Sequence, residues 1–262
     1  MATIPNTVGD LLRDWRRRRR FSQLDLAGEA EVSTRHLSFI ESGRAIASRE
    51  MLLRLAERLG IPLRERNRLL LAGGYAPIHR ERPLAASEMT AAREAIEAVL
   101  KAHLPFPALV VDRHWTLITA NAAVSRLLDG VAPHLLDPPV NVLRLSLHPE
   151  GLAPRILNLA EWRHHVLTRL RTEADAAGDP RLDQLHAELK ALPFSVARTP
   201  PPLSNGVAVP LALVDPGTGK ILSFLSTTTV FGTATDVTLA ELTLECFYPA
   251  DNATRAELSR AV

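Results

Sequence analysis

Three parts of this sequence carry residues whose types and spacing could do chemistry. The first is an unbroken run of five arginines at 16–20, which could bind phosphate groups or could lie on a solvated helix end and complement the helix dipole. Residues 1–83 hold sixteen Arg against ten Asp and Glu, a net charge of +6, whereas the remainder has a net charge of −4. This asymmetry favours contact between the first third of the chain and a polyanion.

The second part has a spacing used by metal sites. Glu161 with His164, and Asp183 with His186, form carboxylate-x-x-His pairs like those of carboxylate-bridged metal sites in helical bundles. Such sites need two more helices with carboxylates at matching depth, and the sequence offers none. We therefore expect no metal site.

The third part is the segment DPGTGKI at 215–221, which contains the Gly and Lys of a phosphate-binding loop. Val214 stands where that loop needs an earlier Gly, and Ile221 stands where it needs Ser or Thr. The segment is therefore predicted to be a hairpin turn. With no other catalytic motif in the chain, we expect no cofactor and no enzymatic activity.

The elements that hold the basic segment are predicted to be short helices. Apolar residues recur at helical spacing from Val8 to Trp15, and three later apolar runs each follow a serine that can cap a helix. These serines are Ser22, Ser33 and Ser48. A fifth helix is predicted between Pro62 and the Gly73-Gly74 pair. Residues 1–74 should therefore form an all-α domain of five helices.

The segment 21–44 resembles the helix-turn-helix of the phage-repressor-like (XRE) regulators. Its residues SQLDLA, followed by VSTRHLSFIESGR, fit the pattern of that family, and the resemblance covers about residues 8–72. Two short helices that dock at a steep angle need a small residue where they approach, and Ala27 supplies it. Glu31 departs from the pattern, because many relatives have Gly there in a left-handed turn.

The resemblance implies which residues contact DNA. In this family the second helix of the pair enters the major groove with its N-terminal residues toward base edges, and the first crosses the phosphate backbone. The base-reading candidates are Thr34, Arg35, His36 and Ser38, and the phosphate-binding candidates are Gln23, Arg44 and Arg17. Arg35 is the strongest candidate, because its fork can bond guanine O6 and N7 together. Glu41 and Arg16 resemble a buried salt bridge of the family and are not counted as DNA contacts.

A different pattern begins after a linker that is predicted at 75–87. Strands are predicted at 108–112 and 115–119, helices at about 121–128, 140–147, 158–177 and 181–191, and further strands in the segments 206–215, 220–232 and 236–251. Two strands, a helical insert and three closing strands predict an α+β, PAS-like domain with an antiparallel sheet at 88–262.

This second domain is similar to the MmyB-like ligand-binding domain, a PAS-related module found behind a repressor-type helix-turn-helix. The similarity spans about residues 88–261 and includes FPALVVDRHWTLITANAAVSRLL and FLSTTTVFGTATDVTLAELTLECFYPAD. It implies a mostly apolar pocket with few polar anchors, suited to a fatty-acid-like ligand. The ligand-binding candidates are Asn141, Arg144, His148, Trp162 and Phe224.

These candidates also have a structural interpretation. Arg144 or His148 could hold a carboxylate head group in the pocket. Equally, Asn141 could cap a helix, Trp162 could lie in the core, and Arg144 could pair with a nearby acid.

Together these features predict a one-component transcription regulator that binds an operator in double-stranded DNA and responds to a small-molecule effector. We expect a homodimer, as is usual among such relatives. Two alternatives stay open: a second domain that only dimerises, and an enzyme joined to a DNA-binding domain, supported only by the His164 and His186 pairs. The single cysteine, Cys246, and the lack of long apolar runs predict a cytoplasmic protein without membrane contact.

Overall fold

The computed structural model describes residues 7–193 and 207–260. The chain divides into two compact units. The first consists of Met1–Arg82 with the short segments Asp175–Gly178 and Ala234–Ala240, and the second consists of Pro83–Ala174, Asp179–Thr233 and Glu241–Val262.

Five helices form the N-terminal part of the first unit, as predicted. They are α1 (Val8–Arg18), α2 (Gln23–Glu29), α3 (Thr34–Glu41), α4 (Arg49–Arg58) and α5 (Leu63–Ala72). The three predicted serine caps accept hydrogen bonds from first-turn amides of α2, α3 and α4, and Thr7 does the same for α1. The apolar stripes of these helices meet in one core, in which Leu12, Leu26, Leu37 and Leu52 are fully buried.

The turn between α2 and α3 has the backbone that the family pattern requires. Glu31 lies in the left-handed region with φ of 55°, the conformation that Gly adopts at lower cost. The next amide, of Val32, donates to the carbonyl oxygen of Ala27 at 2.9 Å and closes the turn. Ala27 is buried, so its small side chain faces the core at the point where the two helices approach.

A buried carboxylate joins α1, α2 and α3. Glu41 is only 3% exposed, and Arg16 donates to its Oε1 from Nε at 2.6 Å and to its Oε2 from Nη2 at 2.9 Å. Gln23 donates to the same Oε2 at 2.8 Å, and Arg13 donates to the Glu41 carbonyl oxygen. Burial alone would raise the pKa of Glu41, but the hydrogen bonds from Arg16 and Gln23 and the charges of Arg16 and Arg13 hold this pKa below its ordinary value. The predicted Arg16–Glu41 salt bridge is therefore present.

The first unit continues past Gly74, where the sequence predicted a linker. The side-chain amide of Asn67 donates to the carbonyl oxygen of His79 at 2.6 Å and accepts from the amides of Ile78 and His79 at 3.1 Å. Tyr75 donates from its hydroxyl to the Ala47 carbonyl oxygen at 3.0 Å. These bonds hold the proline-containing segment against α5, which its composition alone does not reveal.

The remaining elements of the described chain are seven α-helices and five strands. They are α6 (Thr90–Ala102), β1 (Ala108–Val111), β2 (Leu117–Ala120), α7 (Ser125–Leu128), α8 (Val142–Leu147), α9 (Leu159–Ala177), α10 (Pro180–Ala191), β3 (Leu211–Val214), β4 (Ile221–Val230), α11 (Val237–Ala240), β5 (Thr243–Pro249) and α12 (Asn252–Ser259). Short 3-10 helices occur at Ser87–Met89, Ala122–Val124, Pro133–Leu135 and Ala153–Arg155. None of the helices in this part of the chain is long and apolar enough to cross a membrane.

The strands form one antiparallel sheet in the order β2-β1-β5-β4-β3, which confirms the predicted α+β architecture. Leu109 lies opposite Glu245, and Ser226 lies opposite Phe247. Opposed residues share a face, and so do residues two apart on one strand, so these four side chains all lie on the same face of the sheet.

The segment 236–251 differs from its prediction as a strand throughout. Its first residues form α11, and β5 begins only at Thr243. Asp236 accepts a hydrogen bond from the Thr238 amide at 3.0 Å through its side chain, and its carbonyl oxygen accepts from the Ala240 amide. This local hydrogen bonding competes with strand pairing in a sequence whose Val and Thr content favours a strand.

Glu41→Gln should lower the free energy of unfolding of the first unit by about 3–5 kcal/mol, because Arg16 would keep a largely buried charge without its anion. Glu29→Gln at the exposed end of α2 is the matched control and should change stability by less than about 0.5 kcal/mol. Hydrogen exchange of the amides of α1 to α3 reports this difference locally. Equal effects of the two substitutions would contradict a special role for the Glu41 ion pair.

Lowering the pH should remove the stabilisation that the Glu41 carboxylate gives to the first unit. The folded pKa of Glu41 lies below the unfolded value of about 4.3, so the contribution is present in full above that value and is lost as pH falls through the folded pKa. Exchange measured from pH 7 to pH 3 should therefore show a smaller loss of protection in Glu41→Gln than in the wild type.

Candidate DNA-reading helix and candidate ligand cavity

Helix α3 carries the predicted base-reading residues. Ser33 caps the helix by accepting from the His36 amide at 3.1 Å, which places Thr34, Arg35 and His36 in its first turn and Ser38 one turn later. Arg35 is exposed, and the other three are half-buried. The structure thus brings all four onto one short helix.

The exposed Arg35 side chain is supported by its neighbour. Its guanidinium carbon lies 5.3 Å from the centroid of the Phe39 ring, one helical turn away. The ring is not a carbonyl or carboxylate acceptor, so the N–H groups of the guanidinium can still donate to another molecule. The contact also restricts the side chain, which lowers the entropy lost when it binds.

The predicted phosphate-binding residues have different surroundings. Arg44 is exposed just past α3, where Gly43 has a φ of 73° and the Arg44 amide donates to the Phe39 carbonyl oxygen at 2.8 Å. Arg17 is exposed in the last turn of α1. Gln23 is half-buried, and its amide already donates to Glu41. That bond fixes the orientation of Gln23 and leaves it one further N–H.

Two of the five arginines at 16–20 serve the fold. Arg16 holds Glu41, and Arg19 donates from Nε to the Leu59 carbonyl oxygen at 2.9 Å while its guanidinium lies 5.2 Å from the Trp15 ring centroid. Arg17, Arg18 and Arg20 are exposed. Three of the five side chains, rather than all five, therefore form the exposed positive surface of this segment.

The second unit contains a cavity of about 270 Å³ between one face of the sheet and helices α7, α8 and α9. Its wall is mainly apolar. The apolar lining residues are Leu109, Trp115, Leu117, Val124, Leu127, Leu128, Leu136, Val140, Val142, Leu143, Leu145, Leu152, Trp162, Val166, Leu211 and Phe247. A cavity of this kind, with few polar groups, is typical of small-molecule sites, although its volume lies near their lower limit.

Polar groups line one region of the cavity, around an ion pair between α9 and β5. Arg169 donates from Nη2 to Oε1 of Glu245 at 2.6 Å and from Nη1 to Oε2 at 3.2 Å. Thr228 on β4 donates its hydroxyl to the same Oε1 at 2.9 Å. Glu245 is buried, so these bonds compensate a charge that is removed from water.

Trp115 and Glu173 complete the surroundings of Arg169. The Arg169 guanidinium lies 4.6 Å from the Trp115 ring centroid, and its Nε donates to Glu173 Oε1 at 2.9 Å. The Trp115 indole in turn donates to Glu173 Oε2 at 2.8 Å. Arg169 is thus held by an aromatic ring and by two carboxylates.

His165 lies about one turn before Arg169 on α9, and Trp162 lies about two turns before it. Their rings are 5.5 Å apart, and the Trp162 indole donates to the buried hydroxyl of Ser146 on α8 at 2.9 Å. Burial lowers the pKa of His165, and the charge of Arg169 lowers it further. His165 is therefore neutral at neutral pH and offers the cavity a ring nitrogen rather than a positive charge.

Of the five predicted ligand-binding residues, only Trp162 lines this cavity. Asn141 caps α8 by accepting from the Arg144 amide at 3.0 Å and donates to the His114 carbonyl oxygen at 2.8 Å. Arg144 pairs with Glu188 on α10 at 2.5 and 2.8 Å. Both therefore have the structural roles that the sequence left open for them.

His148 and Phe224 also lie outside the cavity lining. Phe224 is fully buried, and its ring centroid lies 6.2 Å from that of Phe247, which does line the cavity. His148 accepts from the Glu150 amide at 3.1 Å through Nδ1. Its ring also lies near His134, with 5.9 Å between the centroids.

Within the described residues, His134, His148 and Glu150 are the one group of three or more potential metal ligands whose ligand atoms lie within 4.8 Å of one another. His134 and Glu150 are exposed. The Glu-x-x-His pair at 161 and 164 and the Asp-x-x-His pair at 183 and 186 are not part of it. Asp183 instead pairs with Arg171 at 2.7 Å.

Sequence reasoning missed the polar groups of the cavity. Glu245 carried a signal, since an acidic residue inside the apolar run TLECFY is expected to be buried and to need a partner. His165 and Arg169 are four residues apart and share a helix face with Val166, which was a second signal. The pairing itself could not be predicted, because Arg169 and Glu245 lie 76 residues apart in the chain.

Comparison with known proteins gives a match for each unit. Residues 92–261 match the MmyB-like transcription regulator ligand binding domain, and residues 7–69 match a helix-turn-helix domain family. The first match includes every residue that lines the cavity, and the second includes α2 and α3. No curated protein matches the chain.

Among solved structures, the chain is similar to an RNA-binding light-oxygen-voltage receptor at 16% sequence identity with a TM-score of 0.26. The similarity covers 98% of this chain and 62% of that receptor chain. The chain therefore spans about three fifths of the receptor's length.

Arg169→Met should lower the free energy of unfolding of the second unit by about 3–5 kcal/mol, because Glu245 would stay buried without a cation. Arg171→Met is the matched control on the same helix. Its ion pair with Asp183 is largely exposed, so its loss should cost less than about 1 kcal/mol. Urea unfolding followed by circular dichroism measures both values.

The double variant Arg169→Met with Glu245→Gln should recover part of that loss, because it also removes the unpaired charge. A double variant as unstable as the sum of the two single variants would contradict the coupling between Arg169 and Glu245.

Proposed function

We propose, because this chain belongs to the MmyB-like transcription regulator family, that a small molecule bound in its cavity changes the affinity of its helix-turn-helix for an operator. The two family matches support a DNA-binding transcription regulator with a ligand-binding domain. The observation that carries the effector part is the cavity of about 270 Å³, whose wall is apolar except around Arg169 and Glu245 and at Ser146. A DNA-binding role is consistent with action in the cytoplasm.

In this proposal α3 reads the operator in the major groove. The exposed Arg35, braced on Phe39, is the residue best placed to form two hydrogen bonds with one guanine, and Thr34, His36 and Ser38 contact neighbouring bases or phosphates. Arg44, Arg17 and the remaining N–H of Gln23 bind phosphates and set the register of the helix.

We also propose that the chain binds its operator as a homodimer. One short reading helix contacts too few base pairs to specify a site by itself, and two half-sites double the number that are read. Their centres should lie about one helical turn, 10–10.5 base pairs, or a multiple of that distance apart. The two half-sites should appear in the footprint used below.

The effector is proposed to be apolar or fatty-acid-like. The cavity has room for a short or medium apolar chain, and the Arg169 region supplies hydrogen-bonding groups for one polar end. To regulate, the ligand must bind the DNA-competent and the DNA-incompetent states with different affinity, a difference that is typically worth about 1–3 kcal/mol.

Arg35→Ala should cost roughly 1–3 kcal/mol at one base pair of the operator and relax the sequence preference there, because it removes a guanine contact. Arg44→Ala should weaken binding nearly uniformly across sequences and make it less salt-dependent, because it removes a phosphate contact. Selection of bound sequences, followed by footprinting and salt titration, separates the two effects. An unchanged sequence preference in Arg35→Ala would contradict the assignment of the reading face.

A bound effector should stabilise the full-length protein by about 2.7 kcal/mol when its concentration is a hundred times its dissociation constant. Val166→Phe, which fills the cavity, should abolish that stabilisation, whereas Val230→Phe on an exposed part of β4 should preserve it. The measurement is thermal unfolding with a panel of medium-chain fatty acids, alcohols and amides, followed by operator titration with each hit. Hits that leave operator affinity unchanged would favour a second domain without a sensing role.

A further inference from the structure

We infer that the cavity takes an amphiphile with a short or medium apolar chain and an uncharged, hydrogen-bonding head group, such as a hydroxyl, a primary amide or a lactone, and that it discriminates against the corresponding carboxylate. This inference rests on the proposed function, in which the cavity holds the effector, and it replaces the fatty-acid-like ligand proposed there by an amphiphile of similar chain whose head group is uncharged.

The charge balance of the cavity lining carries the inference. Among the described residues that line the cavity, Arg169 is the one arginine or lysine and Glu245 is the one carboxylate. The two form a bidentate ion pair, and the Nε of the same guanidinium donates to Glu173 just outside the lining. One positive charge is therefore shared by two negative charges before any ligand enters.

A carboxylate head group would meet an unfavourable environment here. To reach Arg169 it must approach the Glu245 carboxylate, and repulsion between like charges is strong where water is excluded. Moving the ionised group from water into the cavity also costs several kcal/mol unless a cation compensates it. The compensation that Arg169 could give is already used by Glu245 and Glu173.

The other charged and titratable groups around this region do not change the balance. From α9, His165 faces the cavity, and burial and the charge of Arg169 both lower its pKa, so that it is neutral at neutral pH. His164, also on α9, is exposed. The neighbouring strand positions supply Ser226 and Thr228 on β4, which carry no charge.

An uncharged head group, in contrast, finds complementary partners. Each terminal nitrogen of Arg169 carries two N–H groups, and the ion pair with Glu245 uses one of each, so a hydroxyl or carbonyl oxygen can accept from a remaining N–H. The hydroxyl of Ser226 and the ring of His165 line the same region and can donate or accept. None of these bonds requires the Arg169–Glu245 pair to break.

The volume of the cavity sets the length of the ligand. About 270 Å³ lies just below the range of about 300–1,000 Å³ that is usual for small-molecule sites, so the cavity suits a short or medium chain, and a chain of eight carbon atoms is the length tested below. The leucine and valine wall would contact the chain.

The test measures how tightly the full-length protein binds three probes of the same chain length at pH 7.5. The probes are 1-octanol, octanamide and sodium octanoate. Isothermal titration calorimetry gives their dissociation constants. Octanol and octanamide should bind at least about tenfold more tightly than octanoate, which is ionised at this pH and must enter as an anion.

A charge variant tests the cause. Glu245→Gln keeps the shape of the side chain and its hydrogen-bonding oxygen but removes the competing charge, so the ratio of octanoate to octanol affinity should rise by about tenfold or more. Glu173→Gln is the matched control. It removes an equal charge from a residue outside the lining, so it should change the ratio less. Retained octanol binding verifies that each variant is folded, and if Glu245→Gln does not fold, the wild-type series decides alone.

The outcomes separate this inference from the proposed function. Octanoate binding as tight as that of octanol in the wild type would overturn the uncharged head group and leave an effector-binding cavity in place. An affinity ratio that does not move in a folded Glu245→Gln would overturn the charge explanation. Absence of binding by all three probes would overturn the inference together with the effector part of the proposed function.

Discussion

A carboxylate that is removed from water must be surrounded by a cation and hydrogen-bond donors, and in each unit of this protein one buried carboxylate of this kind, Glu41 or Glu245, joins separate elements. In the first unit Glu41 on α3 accepts hydrogen bonds from Arg16 on α1 and Gln23 on α2, so one side chain joins three helices. In the second unit Glu245 accepts hydrogen bonds from Arg169 on the helical insert and from Thr228 on the neighbouring strand. In both units the partners come from separate elements, so these elements must be correctly placed before the charge can be buried.

The position of each carboxylate within its element determines what remains available for function. Glu41 is the last residue of α3, so the anchor lies at the C-terminal end while Arg35 is exposed in the first turn. The helix is thus fixed at one end and presents side chains at the other. Glu245, in contrast, lies in the middle of a strand and lines the cavity, so its anchor is itself part of the cavity wall.

Patterns that depend on neighbouring residues predicted most of the fold. Helical spacing and serine caps predicted five helices, and the order of two strands, a helical insert and three closing strands predicted the antiparallel sheet. Helix α11 was missed because a hydrogen bond from the Thr238 amide to the Asp236 side chain overrides strand propensity. The sequence predicted a mostly apolar pocket, but it did not predict which polar groups line the cavity. Arg144 was an equally plausible anchor from the sequence, and only the position of Glu188 on α10 shows that it belongs to a surface ion pair. Contacts between distant elements are set by the packing of the whole unit, and no local pattern encodes them.

The ion pairs that hold the helical insert differ in strength, because some are exposed to solvent and one is largely buried. Arg144–Glu188 joins α8 to α10 and Arg171–Asp183 joins α9 to α10, and both are solvent-exposed pairs worth about 0–1 kcal/mol each. The pair that joins α9 to the sheet is largely buried, so it cannot be opened at similar cost. The two exposed pairs lie outside the cavity lining and can be broken at lower cost than the pair at the Arg169 end, which is part of the lining. In the proposed complex with an effector, the apolar wall supplies affinity, at about 0.8 kcal/mol per buried methylene, and the end whose charges are already paired selects the head group.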